Sequence, residues 1–302
     1  LFKSQTAQVN HQELKNISID LHDFLLDSTS IKDTSRIFYS KNIGFSASEY
    51  ELTLGDNIHR IRAGQLELST QNRSVLIKNI QLYPIQNTSV LSGQKNTIDA
   101  SCDSVRLDQF NFKKAFHDER FVFQRINLFN PEVSLTQNTV AQRDTVENSS
   151  FIYKLISSYV KGIYSAQVVE KKKKIHLINK TGVLQTGNIE SNLKLKLLGF
   201  ALDEATAKRT DRLFFANQID LNFSNYHMQL VDQLHRLTID DLTISTRKKL
   251  AHLTNLHLTP VSKENMIDLL KKYNRSELYE FTIPELTLAN ADFHEAFYNK
   301  KL

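Results

Sequence analysis

Apolar and polar residues alternate with a period of two through much of this chain. Tyr50, Leu52 and Leu54 alternate with polar neighbours, as do Leu66 with Leu68, Val75 with Ile77, Phe121 with Phe123, and Leu193, Leu195 and Leu197. Such spacing predicts half-buried strands. The apolar phase changes inside long segments, from Val75 and Ile77 to Ile80 and Leu82, and from Ile219, Leu221 and Phe223 to Tyr226, Met228 and Leu230. That change predicts a β-bulge or bend with strong local twist. Strand segments follow one another at hairpin spacing without a helix between each pair, so the sheet is expected to be an antiparallel meander.

Helical spacing is scarce. Between Asn148 and Lys161 it sets Phe151, Ile152, Leu155, Ile156, Tyr159 and Val160 on one stripe, with Ser149 and Ser150 as cap candidates and Gly162 at the stop. This predicts a helix over about 148–162. A short helical turn is expected at Asn111 to His117, recurring at Asp292 to Tyr298. Ser262 to Tyr273, with Met266, Ile267, Leu269 and Leu270 apolar, reads as another amphipathic helix.

The whole pattern occurs twice. Ile17 to Pro84 lies over Leu193 to Pro260 at an offset of 176 without an insertion, and close to a third of the positions are identical. Identities include Phe24/Phe200, Asp27/Asp203, Arg36/Arg212, Phe38/Phe214, Asp56/Asp232, His59/His235, Asn79/Asn255 and Pro84/Pro260; most other pairs exchange one aliphatic for another. After a loop longer by five residues in the second copy, Leu107, Phe112, Ala115 and Phe116 meet Leu288, Phe293, Ala296 and Phe297. Two units are therefore expected, residues 1–147 and 148–302. Because the chain begins at Leu1 and the second unit breaks off, it reads as a middle segment of a longer array.

Roughly eight strands at about 4.8 Å spacing make a sheet near 38 Å wide, whereas a twelve-residue helix is only about 18 Å long and 10 Å across. One helix per unit covers about a fifth of such an apolar face. The rest must be covered by self-closure into a sandwich or barrel, or serve as the floor of a trough that accepts apolar ligands. Tandem units favour the shared, continuous solution. The expected fold is mainly β: an elongated, strongly twisted antiparallel meander sheet forming an open groove from tandem repeats, with a few short helices. Its candidate lining residues are Tyr50, Leu52, Leu54, Leu66, Leu68, Phe121, Phe123, Tyr226, Met228, Leu230, Leu242 and Ile244.

Composition narrows the functional classes. The chain has 302 residues, 40% hydrophobic and 24% charged, which is ordinary globular composition and excludes disorder and collagen-like repeats. The net charge of +5 comes from basic residues interleaved with acidic ones, so nucleic acid is not an expected partner. Cys102 is the only cysteine, so no internal disulfide forms and the redox compartment stays open. No apolar run reaches the length of a membrane span, and no signal-peptide pattern is present.

Catalytic motifs are lacking. The sequence holds no P-loop, HExxH, GxSxG or CxxC pattern. Asp56, His59 and Arg60 recur as Asp232, His235 and Arg236, but Gly55-Asp56-Asn57 lies between strand patterns, where Asp favours a turn and His-Arg starts the next strand on its polar side. His227, His252 and His257 are not at a metal-site spacing. No catalytic residue, metal or cofactor is therefore assigned, and no enzyme activity is expected. The run Lys171, Lys172, Lys173 and Lys174 flanks an Ile175 to Ile178 strand; it protects a sheet edge or, in a sharper reading, meets anionic lipid headgroups.

Several strings carry a family resemblance. Asp56-Asn57-Ile58-His59-Arg60-Ile61, then Leu66-Glu67-Leu68-Ser69-Thr70 and Ile77-Lys78-Asn79-Ile80-Gln81-Leu82-Tyr83-Pro84, resemble repeats of AsmA-like envelope proteins. So does Phe121 to Pro131, a strand ending in Asn-Pro before another strand. The resemblance implies a repeating β-groove that holds acyl chains of phospholipid or another amphiphile. It also implies a periplasmic location in a diderm bacterium, with membrane anchoring through other parts of the parent protein. A structural or adhesive β-sandwich repeat without a lipid ligand is the alternative.

Overall fold

A computed structural model describes residues 12–30, 33, 35–85, 96–137, 152–171, 179–181, 184–186, 190–209, 211–230, 232–262 and 266–299. The first unit runs β1 (Gln12–His22), β2 (Asn42–Thr53), β3 (His59–Ser69), β4 (Ser74–Pro84), β5 (Asn96–Asp108), α1 (Phe112–Asp118), β6 (Arg120–Phe129) and β7 (Glu132–Gln137). A helical turn, α2 (152–156), leads into β8 (Gly162–Lys171) and the short hairpin of β9 (Asn179–Thr181) and β10 (Leu184–Thr186). Then follow β11 (Glu190–Asp203), β12 (Gln218–Gln229), β13 (His235–Ser245), β14 (Leu250–Pro260), α3 (Met266–Lys272) and β15 (Phe281–Ala289). A short π-helical turn, Glu295–Asn299, comes last.

All strands belong to one sheet, in the order β1-β2-β3-β4-β5-β6-β8-β11-β12-β13-β14-β15. Among the described residues β1 and β15 have one neighbour each, so the sheet is open at both edges. The predicted antiparallel meander holds everywhere along this path except between β6 and β8, which are parallel from Arg120↔Gly162 to Phe129↔Lys171. Hairpin spacing did not disclose that junction. A parallel pair needs a crossover of a dozen or more residues, and the connection from Gln137 to Gly162, which includes α2, supplies it.

β6 and β7 share one edge of β5. β6 pairs with Ser104 to Asp108 and β7 with Asn96 to Ser101. The interruption falls at Asn130-Pro131, where Asn130 is left-handed (φ 51°) and Pro131 has no N–H to donate. Cys102 sits opposite this break and donates to the carbonyls of Ser104 and Phe129, both at 3.1 Å.

The predicted phase changes occur, but without an extra residue. Register is preserved from Gln65↔Lys78 to Ala63↔Ile80, and from Ser224↔Asp241 to Tyr226↔Ile239. Asn79 (φ 52°) and Asn225 (φ 54°) turn the chain over between those pairs. Opposite Asn79 stands Gly64, where a Cβ would come within 3.1–3.2 Å of the Asn79 side chain. The first bend is therefore a left-handed residue facing a small partner, whereas Asn225 lies across from Asp240.

Left-handed residues repeat with the sequence. Asp23/Gly199, Phe38/Phe214, Tyr39/Phe215, Glu49/Asn225, Asn57/Gln233, Arg73/Lys249 and Asn79/Asn255 all have positive φ at an offset of 176, and Gln109/Asn290 at 181. Each costs an L-residue about 1–2 kcal/mol. Their recurrence under different side chains means that the fold, not residue preference, imposes them.

Short helical segments fall where the patterns place them. α1 has the expected position, with Asn111 as cap accepting from Lys114 N–H at 3.0 Å. At the recurring position Asp292 caps in the same way, accepting from the N–H groups of His294 and Glu295. Of the helix predicted over 148–162, residues 148–151 with Ser149 and Ser150 lie outside the described residues, α2 covers 152–156, and the chain leaves the helix after 156. Gly162, expected as a helix stop, opens β8; a Cβ there would approach the Tyr164 ring to 2.7–2.9 Å.

Candidate functional site

Cross-strand register gathers the apolar positions into continuous rows. One row runs Ile19–Phe45–Leu68–Val75–Leu107–Ile126–Val168–Leu197–Ile219, nine strands in succession and across the parallel junction. A second runs Ala47–Leu66–Ile77–Val105–Leu128 and meets Glu170 on β8. In the second unit Leu195–Leu221–Ile244–Ala251–Leu288 and Phe223–Leu242–Leu253–Leu286 continue the floor. The intervening positions carry the polar face, for instance Glu67 near Lys78 and Arg106 on Asp108.

Cover over this floor is uneven. Val75, Ile126, Val168, Leu197 and Ile219 are buried, in a cluster with Phe110 and Phe123, while Ile19 on the outermost strand is 58% exposed. Phe112 and Ala115 of α1 pack on the same cluster, as do Phe293 and Tyr298 after β15. A roof contact repeats: Phe38 meets Phe116 edge-on at 5.3 Å between ring centroids, and Phe214 meets Phe297 at 5.7 Å. The loop after β1 thus reaches the turn after β5, and the loop after β11 reaches the turn after β15.

The predicted lining residues fall into three groups. Leu66, Leu68, Phe121 and Phe123 join the central cluster. Tyr50, Leu52 and Leu54 form a second cluster under Leu155, Ile156 and Tyr159, where the Tyr159 hydroxyl donates to the Thr53 carbonyl. Leu52 and Leu54 are buried there by the α2 segment. In the second unit Tyr226 meets the Phe223 ring at 5.7 Å and its hydroxyl reaches Met228 Sδ at 3.3 Å, while Leu242 and Ile244 face Phe223 and Leu221. Leu230, half-buried, follows the end of β12. Ile126, Val168 and Leu197, the most central floor residues, were not among the candidates, although the alternation of Leu195 with Leu197 marks that strand. Lys171 ends β8, whereas Lys172 to Lys174 and the Ile175 to Ile178 segment lie outside the described residues.

The recurring histidines are not on a polar side, as the sequence suggested. His59 is fully buried and His235 is 4% exposed. His59 Nδ1 donates to Asp56 Oδ2 at 2.5 Å, and its Nε2 accepts the Ile98 N–H at 3.1 Å. His235 Nδ1 donates to Asp232 Oδ2 at 2.6 Å and Nε2 accepts the Tyr279 N–H at 2.9 Å. The other oxygen, Oδ1 of each Asp, takes two backbone N–H groups of the turn. Burial works against the charge on Asp56 and Asp232, but hydrogen bonds from the ring and the turn outweigh it and hold both carboxyls below the usual range. Both ring nitrogens are committed to clamping a turn to a distant segment, β5 at Ile98 and the approach to β15 at Tyr279.

His252 and His257 hydrogen-bond Thr287 and Thr282. Among the described residues no group of three or more His, Cys, Asp or Glu is arranged to hold a metal ion, and no helix is long and apolar enough to cross a membrane. No protein-family model and no curated protein matches the chain.

Proposed function

We propose that this chain is a lipid-holding segment of a bridge-like carrier of the AsmA-like kind, acting without covalent chemistry. The observation that carries the proposal is the apolar row crossing nine strands without interruption at the boundary between units. Where that row is left uncovered, at Ile19, Phe45, Leu68 and Leu107, apolar surface facing water costs about 25 cal/mol for each Å² left bare. Acyl chains laid along it would recover that energy, while the polar opposite face stays in solvent. Phospholipid or another amphiphile is the partner, and the cell envelope of a diderm bacterium is the proposed setting. Closed, separate sandwiches, the architecture behind the adhesive alternative, do not match two units joined edge to edge in one open sheet.

Native mass spectrometry of gently purified protein is the test. Co-purifying phospholipid, lost when Leu68 and Leu242 are replaced by Asp, is expected. Protein that carries no amphiphile and takes none up from vesicles would remove the proposal.

A further inference from the structure

We propose that Glu170 is a recognition point in the trough for the ammonium group of a cationic amphiphile. This rests on the lipid-holding function above and specifies its ligand class. Glu170 occupies the apolar row of Leu66, Ile77, Val105 and Leu128, at the junction of the two units. It is 5% exposed, and among the described residues neither buried carboxylate oxygen has a hydrogen-bond partner. A buried carboxyl normally has partners, since leaving it unpaired costs several kcal/mol when charged. An unpaired one set in an apolar row of the sheet points to a ligand atom as its missing partner.

The charge it lacks is positive. Among the described residues the titratable group beside it is the Cys102 thiol across the Asn130-Pro131 break, which its charge pushes further up. Lys196 stands on the opposite, polar face, in the row of Val169 and Asp220. Burial alone lifts Glu170 to about 7, so the carboxylate is within reach at neutral pH. Leu128 beside it and Leu195 are only half-buried, so the row is open to an approaching chain next to the buried carboxyl. An ammonium there makes a charge-assisted hydrogen bond in a medium that strengthens it; a hydroxyl or ester makes a weaker bond, and a second carboxylate repels.

The experiment titrates the whole chain at pH 8 with a long-chain primary alkylammonium and with the alcohol of equal length. Wild type should bind the ammonium about tenfold more tightly. Glu170→Gln should lose that preference while keeping alcohol affinity, and Glu170→Leu, which suits the apolar row, guards against misfolding of the first variant. Equal affinities in wild type, or a preference that survives Glu170→Gln, would overturn the ammonium assignment and leave the trough standing. Binding of neither probe to wild type would remove both.

Discussion

Truncating His59 removes both ends of one clamp, stranding the Ile98 N–H and a carboxylate that burial already penalises. His59→Ala should cost about 2–4 kcal/mol in urea unfolding, and His235→Ala a similar amount. Equal urea midpoints for His59→Ala and wild type would refute the clamp. The pH dependence has two separate windows. Asp56 and Asp232 are depressed, so their contribution is present above the unfolded carboxylate range and is lost as pH falls through their lower folded values. Glu170 is raised from 4.5 to about 7, so the sign is opposite. Its contribution is full below 4.5 and declines as pH rises to about 7. Glu170→Leu should therefore flatten the stability profile between pH 5 and 7, as read by denaturant midpoints; an unchanged slope would mean that the carboxyl is not buried in solution.

At the scale of elements, the bends are the informative feature. Asn79 and Asn255 hold left-handed conformations inside β4 and β14. Replacing either by Ala should cost about 1 kcal/mol, while Gly there should be nearly neutral, because Gly carries no Cβ penalty. Thermal unfolding of the four variants separates the two outcomes. Phase changes in alternation announced these bends from residue order alone, since a strand cannot keep one face apolar across them otherwise. What alternation left unread is that no residue is inserted. An αL Asn opposite Gly64 does the same work as a bulge, and only register distinguishes them. The α2 helix was overextended for a related reason: an apolar stripe records which residues are buried, not which are helical. Val160, on that stripe, is buried just before β8 in non-helical backbone.

For the molecule as a whole, the open antiparallel character followed from strand spacing and from the scarcity of helix. The parallel junction of β6 and β8 did not, because a crossover connection leaves no period-two mark. Glu170 was equally hidden, being one acidic residue before a lysine run; only the neighbouring row shows that it faces Leu128 rather than water. Substitution at the junction tests the continuity of the floor. Val168→Asp, in the buried middle of the nine-strand row, should destabilise by more than 3 kcal/mol, whereas Leu286→Asp on the exposed edge strand should change stability by less than about 1 kcal/mol. Comparable losses at both sites would mean that the edge is as tightly packed as the centre. From β1 to its counterpart β11 the sheet advances seven strand positions, roughly 34 Å at ordinary spacing. Reach is thus added in whole increments: gaining or losing one copy by recombination would lengthen or shorten the span by that step while every turn, clamp and roof contact is carried along intact.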